Sequence, residues 1–278
     1  MTSKLIPSDP EKVMVMRKIH PDVLTCSVPF LRFGRVKIGG RGTIVRLQTG
    51  ALAVFSPVAL TESVKKELST FGSGQIKYIT ALDAEHHIFL EPWSKAFPEA
   101  KVIGPEGLME KREKQGGHSI PRDKWVVFKV SDKRGGGLRV SEEFDKEFEC
   151  EFVDAHANKE LVFNHKPSRT LIEADFMFNL PAHEQFSRTN ESPTSGLLAK
   201  IMCAINNTKG EAIWQRRFLW YAISAGNRQG FNESVGRIDK FDFDTIVPCH
   251  GDVIEKEGKS VFQKVMKWHL DAARAKAQ

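Results

Sequence analysis

Three stretches place polar, metal-competent side chains just beyond runs of strand-forming residues. Asp83-Ala84-Glu85-His86-His87 follows QIKYITAL, His156 follows FECEFVDA, and His250 follows TIVPC; a further carboxylate, Asp175, closes TLIEAD. Carboxylate oxygens combined with imidazole nitrogens form a ligand set for zinc, iron or manganese. In α/β sheets the carboxyl ends of strands are where ligands bind, because loops and helix starts converge there. His86 and His87 are adjacent and point in different directions, so at most one of them faces a given site. Cys249, beside His250, has no evident base partner and reads as a small buried residue rather than a nucleophile.

The elements that must hold these groups follow from the pattern of apolar residues. Val23–Phe30 and Arg35–Ile38 read as strands, and Thr43–Leu47 and Ala51–Val58 as a hairpin around Gln48-Thr49-Gly50. Thr61 is the expected N-cap of a helix over Glu62–Phe71, with Val64 and Leu68 one turn apart. Strand 75–82, helix 88–97, strand 101–104 and helix 108–114 follow, the rhythm of parallel crossover units. Trp125–Val130, Glu147–Asp154, Glu160–Asn164 and Thr170–Phe176 give four more strands. Residues 182–241 turn helical, Thr245–Pro248 is the last strand, and a basic helix over 259–276 closes the chain. Gly39-Gly40-Arg41-Gly42 lacks the spacing and following helix of a phosphate loop and reads as a tight turn. Lys133-Arg134-Gly135-Gly136-Gly137 reads as a flexible loop.

At 278 residues, with 41% hydrophobic and 27% charged side chains, the composition is that of a globular protein able to bury a sizeable core. No apolar run approaches the ~20 residues of a membrane span, and the N-terminal segment has charges within its short apolar pieces, unlike a secretory signal. The four cysteines are widely spaced with no C-x-x-C pair, which argues against a disulfide framework or zinc ribbon and suits a reducing, cytoplasmic compartment. The net charge of +6 comes without a basic stripe interleaved with aromatics, so a nucleic-acid partner is not expected. Neither is a membrane; the expected partner is a small-molecule substrate.

With the elements in place, the strand-end groups resemble the motifs of the metallo-β-lactamase superfamily. The first motif of that family, Thr-His-x-His-x-Asp-His, falls on Thr80-Ala81-Leu82-Asp83-Ala84-Glu85-His86. Its second, a histidine in a turn before a strand, falls on Asp154-Ala155-His156-Ala157-Asn158-Lys159, and its strand-end aspartate on Ala174-Asp175-Phe176. Its last, Pro-Gly-His-Gly, falls on Pro248-Cys249-His250-Gly251. The four occur in family order over roughly residues 20–255. The segments RVKIGGRGTIVRL and ALAVFSPVAL, with His86-His87, resemble an uncharacterised branch that keeps the fold and alters the first motif.

The resemblance implies a single domain over 1–278, an αββα sandwich with a helical insertion at about 182–241 before the last strand. It implies a cleft shared by a pair of metals. One site retains Asp83, His156 and Asp175 but has lost its ligand at Ala81; the other retains Glu85, His86, Asp175 and His250. The expectation is therefore one divalent metal, zinc in the first place with iron or manganese as alternatives. Its ligands are drawn from Glu85, His86, His156, Asp175 and His250, and Asp83 or Glu85 serves as proton acceptor. A histidine restored at Ala81 is expected to add metal. The implied activity is metal-dependent hydrolysis of an ester, lactone, thioester or phosphoester. The alternatives are an inactive binding protein of the same fold and a non-haem iron redox protein.

Overall fold

The computed structural model describes residues 5–117, 119–134 and 139–277. The glycines at 135–137 lie outside the described residues. Strands β1 (Val15–His20), β2 (Val23–Val28), β3 (Leu31–Arg32), β4 (Val36–Lys37), β5 (Gly40–Arg46) and β6 (Leu52–Phe55) build the first part of the chain, followed by β7 (Ile76–Thr80), β8 (Lys101–Pro105) and β9 (Trp125–Phe128). Seven of them form a sheet in the order β1-β2-β5-β6-β7-β8-β9, and β3 and β4 make a separate hairpin. The first pairs are antiparallel, while β6 through β9 run parallel, joined by the helices Glu62–Phe71, Leu90–Ala96 and Leu108–Lys114. Thr61 caps the first of these helices, its Oγ1 accepting from the Val64 amide at 3.3 Å.

A second sheet contains β10 (Phe148–Val153), β11 (Glu160–His165), β12 (Thr170–Glu173) and β13 (Thr245–Pro248), with β13 parallel to β12. The period-two alternation of strands sorts the side chains into layers. In β6, Ala53 and Phe55 face the second sheet, while Leu52 and Val54 face the outer helices. Phe55 meets Phe148 and Phe163 with ring centroids 5.3 and 5.2 Å apart, closing the core between the sheets. A third core lies beyond the second sheet, where Phe231, Val235, Phe262 and Leu270 pack on Val162 and Leu171. The layers therefore run helix, sheet, sheet, helix. Between β12 and β13 the chain carries the helices His183–Phe186, Leu197–Ile205, Ile213–Phe218 and Arg228–Ile238. The last of these packs on β10 and belongs to the outer layer.

Some boundaries differ from the sequence reading. β6 stops at Phe55 because Ser56 takes φ +46° before Pro57. The closing helix is two, Gly258–Val265 and Lys267–Ala277. The edge strand β1 and the helix Glu142–Glu147, capped by Ser141, were not expected. No described helix is long and apolar enough to cross a membrane.

Candidate metal centre

His86, Asp175 and His250 come together at the ends of β7, β12 and β13, with one ligand atom from each lying within 4.8 Å of the others. His86 Nε2 is 3.1 Å from His250 Nε2, and that atom is 3.1 Å from Asp175 Oδ1. Each group is held from behind. His86 Nδ1 donates to Asp83 Oδ1 at 2.9 Å, and His250 Nδ1 donates to the Gly39 carbonyl at 2.7 Å. Asn158 Nδ2 donates to Asp175 Oδ2 at 2.7 Å, which turns Oδ1 toward the histidines. With both Nδ1 atoms committed as donors, both Nε2 atoms of neutral rings present lone pairs. Three acceptors so close together require a proton or a cation between them. Burial opposes a charge on His86, but Asp83, Asp175 and Glu160 outweigh it and lift its pKa to about 9. In the same cluster burial would raise the Asp175 carboxyl, but His86 and His250 outweigh it and hold it well below the usual carboxylate range.

The backbone around His250 is built for close approach. Gly251 has φ +92°, and a Cβ there would fall 2.1 Å from the Asn179 carbonyl oxygen. A Cβ on Gly39, at φ +73°, would fall 2.0 Å from Gln185 Oε1. Gln185 bridges the same loop, donating to the Cys249 carbonyl and accepting from the Gly251 amide. Arg41 is buried and donates through Nη1 to the carbonyls of Pro248 (2.6 Å) and Gly251 (2.7 Å), and through Nε to Ser27 Oγ (3.0 Å). The His250 ring stacks on Phe178 at 5.2 Å and 13°. Next to it, burial pushes the Cys249 thiol well above its ordinary pKa.

The remaining sequence candidates are placed differently. Asp83 has no exposed surface, and its Oδ1 also accepts from the amides of Glu85 and His86. It orients His86 and is not open to the cleft as a proton acceptor for water. Glu85 is outside the cluster, paired with Lys111 at 2.7 Å and Arg32 at 3.7 Å. His156 is fully enclosed; its Nδ1 accepts from the Asn158 amide, so Nε2 carries the hydrogen and is directed at the Asp175 carbonyl, 3.3 Å away. His87 lies against Arg112, with Nδ1 3.1 Å from its Nη1. Ala81 packs among the side chains beneath the outer helices, where a histidine would displace packed neighbours. Sequence reasoning missed Gly39, Arg41, Gln185 and Asn158, and also Glu160, which accepts the amides of Ala174 and Asp175. Burial, and then Asp83 and Asp175, raise the Glu160 pKa well above the ordinary value. The only visible signal was the glycine-arginine cluster at 39–42.

His86 and His250 line a cleft of about 370 Å³ with Phe30, Phe33, Arg32 and Lys111. This volume suits a small molecule.

The architecture is a metallo-β-lactamase fold. The chain is similar to the metallo-β-lactamase from Pontibacter korlensis, with 11% identity, TM-score 0.55, and coverage of 92% of this chain and 98% of the other. A metallo-β-lactamase from Hirschia baltica gives 12% identity and TM-score 0.54, covering 93% and 98%. A flavoprotein from Thermotoga maritima gives 15% identity and TM-score 0.58 over 92% of this chain, which spans 61% of that longer protein. Residues 32–217, more than half of the chain, match the family described as "Domain of unknown function (DUF4336)", and the chain belongs to that family. No curated protein matches it.

Proposed function

We propose that the protein is a metal-dependent hydrolase holding one divalent cation on His86 Nε2, His250 Nε2 and Asp175 Oδ1. The observation that carries this reading is the convergence of three acceptor atoms whose other faces are already occupied by Asp83, Gly39 and Asn158. Metal-bound histidines are fixed in this way by a carboxylate or carbonyl on the second ring nitrogen. Two imidazoles and one carboxylate are a donor set of catalytic zinc. When bound, such a cation lowers the pKa of water toward neutrality and polarises a carbonyl or phosphoryl oxygen.

The chain's own residues supply the rest. Asp83 and Gly39 fix the tautomers of His86 and His250. Phe30 and Phe178 flank the His250 ring and keep water from its faces. Glu85, unlike Asp83, lines the cleft, where it is placed to accept the proton of the water. Lys111 and Arg32 beside it give the cleft cationic groups, while its other walls are largely apolar. The substrate is accordingly a small ester, lactone, thioester or phosphoester.

The same donor set supports a second reading, because two histidines with one carboxylate also form the facial triad of non-haem iron. Chelator-stripped protein reloaded with one equivalent of zinc, then assayed on a panel of carboxyl esters, lactones, thioesters and phosphoesters, tests the first reading. Hydrolysis restored by zinc and absent from Asp175→Ala is expected. Tight zinc binding with no turnover on any panel member would contradict it, and a visible iron spectrum with reducible iron would favour the second reading.

A further inference from the structure

The helix Leu197–Ile205 reads LLAKIMCAI and is apolar around nearly its whole circumference, yet only Ala199 on it is buried. Helices with that composition are normally enclosed or in contact with lipid. One side, Met202 and Cys203, joins Val36 and Phe218 around Ile38 and Phe178. The other side presents Leu197, Leu198 and Ile201, which are 74%, 48% and 45% exposed.

The β3–β4 hairpin extends this surface. The helix packs beside β4, and Lys37 ties the hairpin to the loop preceding the helix through Ser195 (2.6 Å) and Glu191 (2.8 Å). At the hairpin tip Phe33 and Gly34 both have positive φ, +54° and +67°, and the Arg35 amide bonds back to the Arg32 carbonyl. This is the pattern of a type I′ turn, whose first central position favours asparagine or glycine. Phe33 occupies it in a strained conformation with 78% of its surface in solvent. On the next helical stretch Trp214 and Tyr221 are also exposed, and the Arg217 guanidinium lies 4.7 Å over the Trp214 ring.

Charge identifies the occupant. Residues 191–232 hold five basic side chains, of which Arg216 is buried, and two acids, Glu191 and Glu211, which pair with Lys37 and Arg216. Arg35, Lys200 and Arg217 are exposed and have no carboxylate partner among the described residues. A second copy of the chain would bring the same positive charge against this face. An anionic bilayer accepts aliphatic, tryptophan and tyrosine side chains at headgroup depth and attracts the lysines and arginines around them. We infer that the face formed by Phe33, Leu197, Leu198, Ile201 and Trp214 docks peripherally on an anionic lipid surface. Phe33 also lines the cleft, so docking sets the cleft mouth beside the bilayer.

Co-sedimentation of the full chain with vesicles of phosphatidylcholine, with or without about a third phosphatidylglycerol, tests it. The protein is expected to partition onto the anionic vesicles, with a blue shift in tryptophan emission. Arg35→Glu combined with Lys200→Glu is expected to weaken partitioning by about tenfold or more. Phe33→Ser combined with Leu197→Ser and Ile201→Ser is expected to abolish it, with unchanged melting showing an intact fold; if that variant melts early, Leu197→Ser alone is read in its place. Failure of the wild type to bind anionic vesicles at low salt would overturn the proposal. So would equal binding by the charge variant, or a dimer in sedimentation velocity that Leu197→Ser dissociates, which would assign the face to a second copy.

Discussion

Arg41 is where the first sheet grips the loop that carries His250, and replacing it with methionine isolates that grip. Methionine fills a similar volume and donates nothing. Glu184, 3.4 Å from Arg41 Nη2, keeps Arg17 and Ser27 at 2.7 Å each, so the substitution leaves no uncompensated charge there. Besides the Nε bond to Ser27 Oγ, whose hydroxyl keeps its own bond to Glu184, it removes the donor that reaches the buried carbonyls of Pro248 and Gly251. A buried acceptor without its donor costs about 1–3 kcal/mol. For the two carbonyls this gives a loss of about 2–6 kcal/mol, a large share of the stability of an ordinary domain. At ~2–4 °C per kcal/mol the midpoint of thermal unfolding should fall by roughly 8–16 °C for a loss near the centre of that range. Urea titration followed by far-ultraviolet circular dichroism measures the free-energy change directly, with the slope expected to stay constant. A loss below about 1 kcal/mol would mean that the loop holds its place without Arg41.

Two other substitutions test the packing and the buried histidines. Ala81→His should destabilise the protein by about 1–3 kcal/mol through overpacking and leave the metal content unchanged; a raised metal-to-protein ratio would show that this position opens to the cleft after all. His269 packs against Trp220 and Phe231, and burial, reinforced by the Arg228 charge, pushes its pKa down to about 3. Below pH 6.5 the unfolded chain takes up a proton that folded His269 refuses, so stability falls with pH down to about 3. Between pH 7.5 and 5.0 the wild type should lose about 2 kcal/mol more than His269→Gln in urea titrations, and parallel pH curves would contradict this.

Much of the fold was legible because its signals are local. Thr61 and the spacing of Val64 and Leu68 mark a capped helix, and alternating strands and helices from Leu52 to Phe128 imply parallel pairing. The edge strand β1 was not, because it is only partly buried along its length and carries no clean alternation. The helix Glu142–Glu147 escaped notice because Phe144 is its one buried apolar residue. The site was legible as a set of strand ends and not as a constellation. His86 and His250 are 164 residues apart, and Gly39 and His250 are 211 apart, so their meeting depends on sheet register that no local pattern encodes. The same limit hid Arg41, which bonds to Pro248 207 residues away, and the Asn158 side chain, whose partner Asp175 lies on the next strand end.

The proposed site holds one cation on His86, Asp175 and His250, with Glu85 outside its ligand set. Elemental analysis by plasma mass spectrometry of protein purified without a histidine tag or chelator, as wild type, His250→Ala and Glu85→Gln, tests it most directly. Close to one zinc, iron or manganese per wild-type chain is expected, the same in Glu85→Gln, and a sharp loss in His250→Ala with the fold intact. Metal that survives in His250→Ala, or a wild type that stays empty after incubation with those ions, would contradict it.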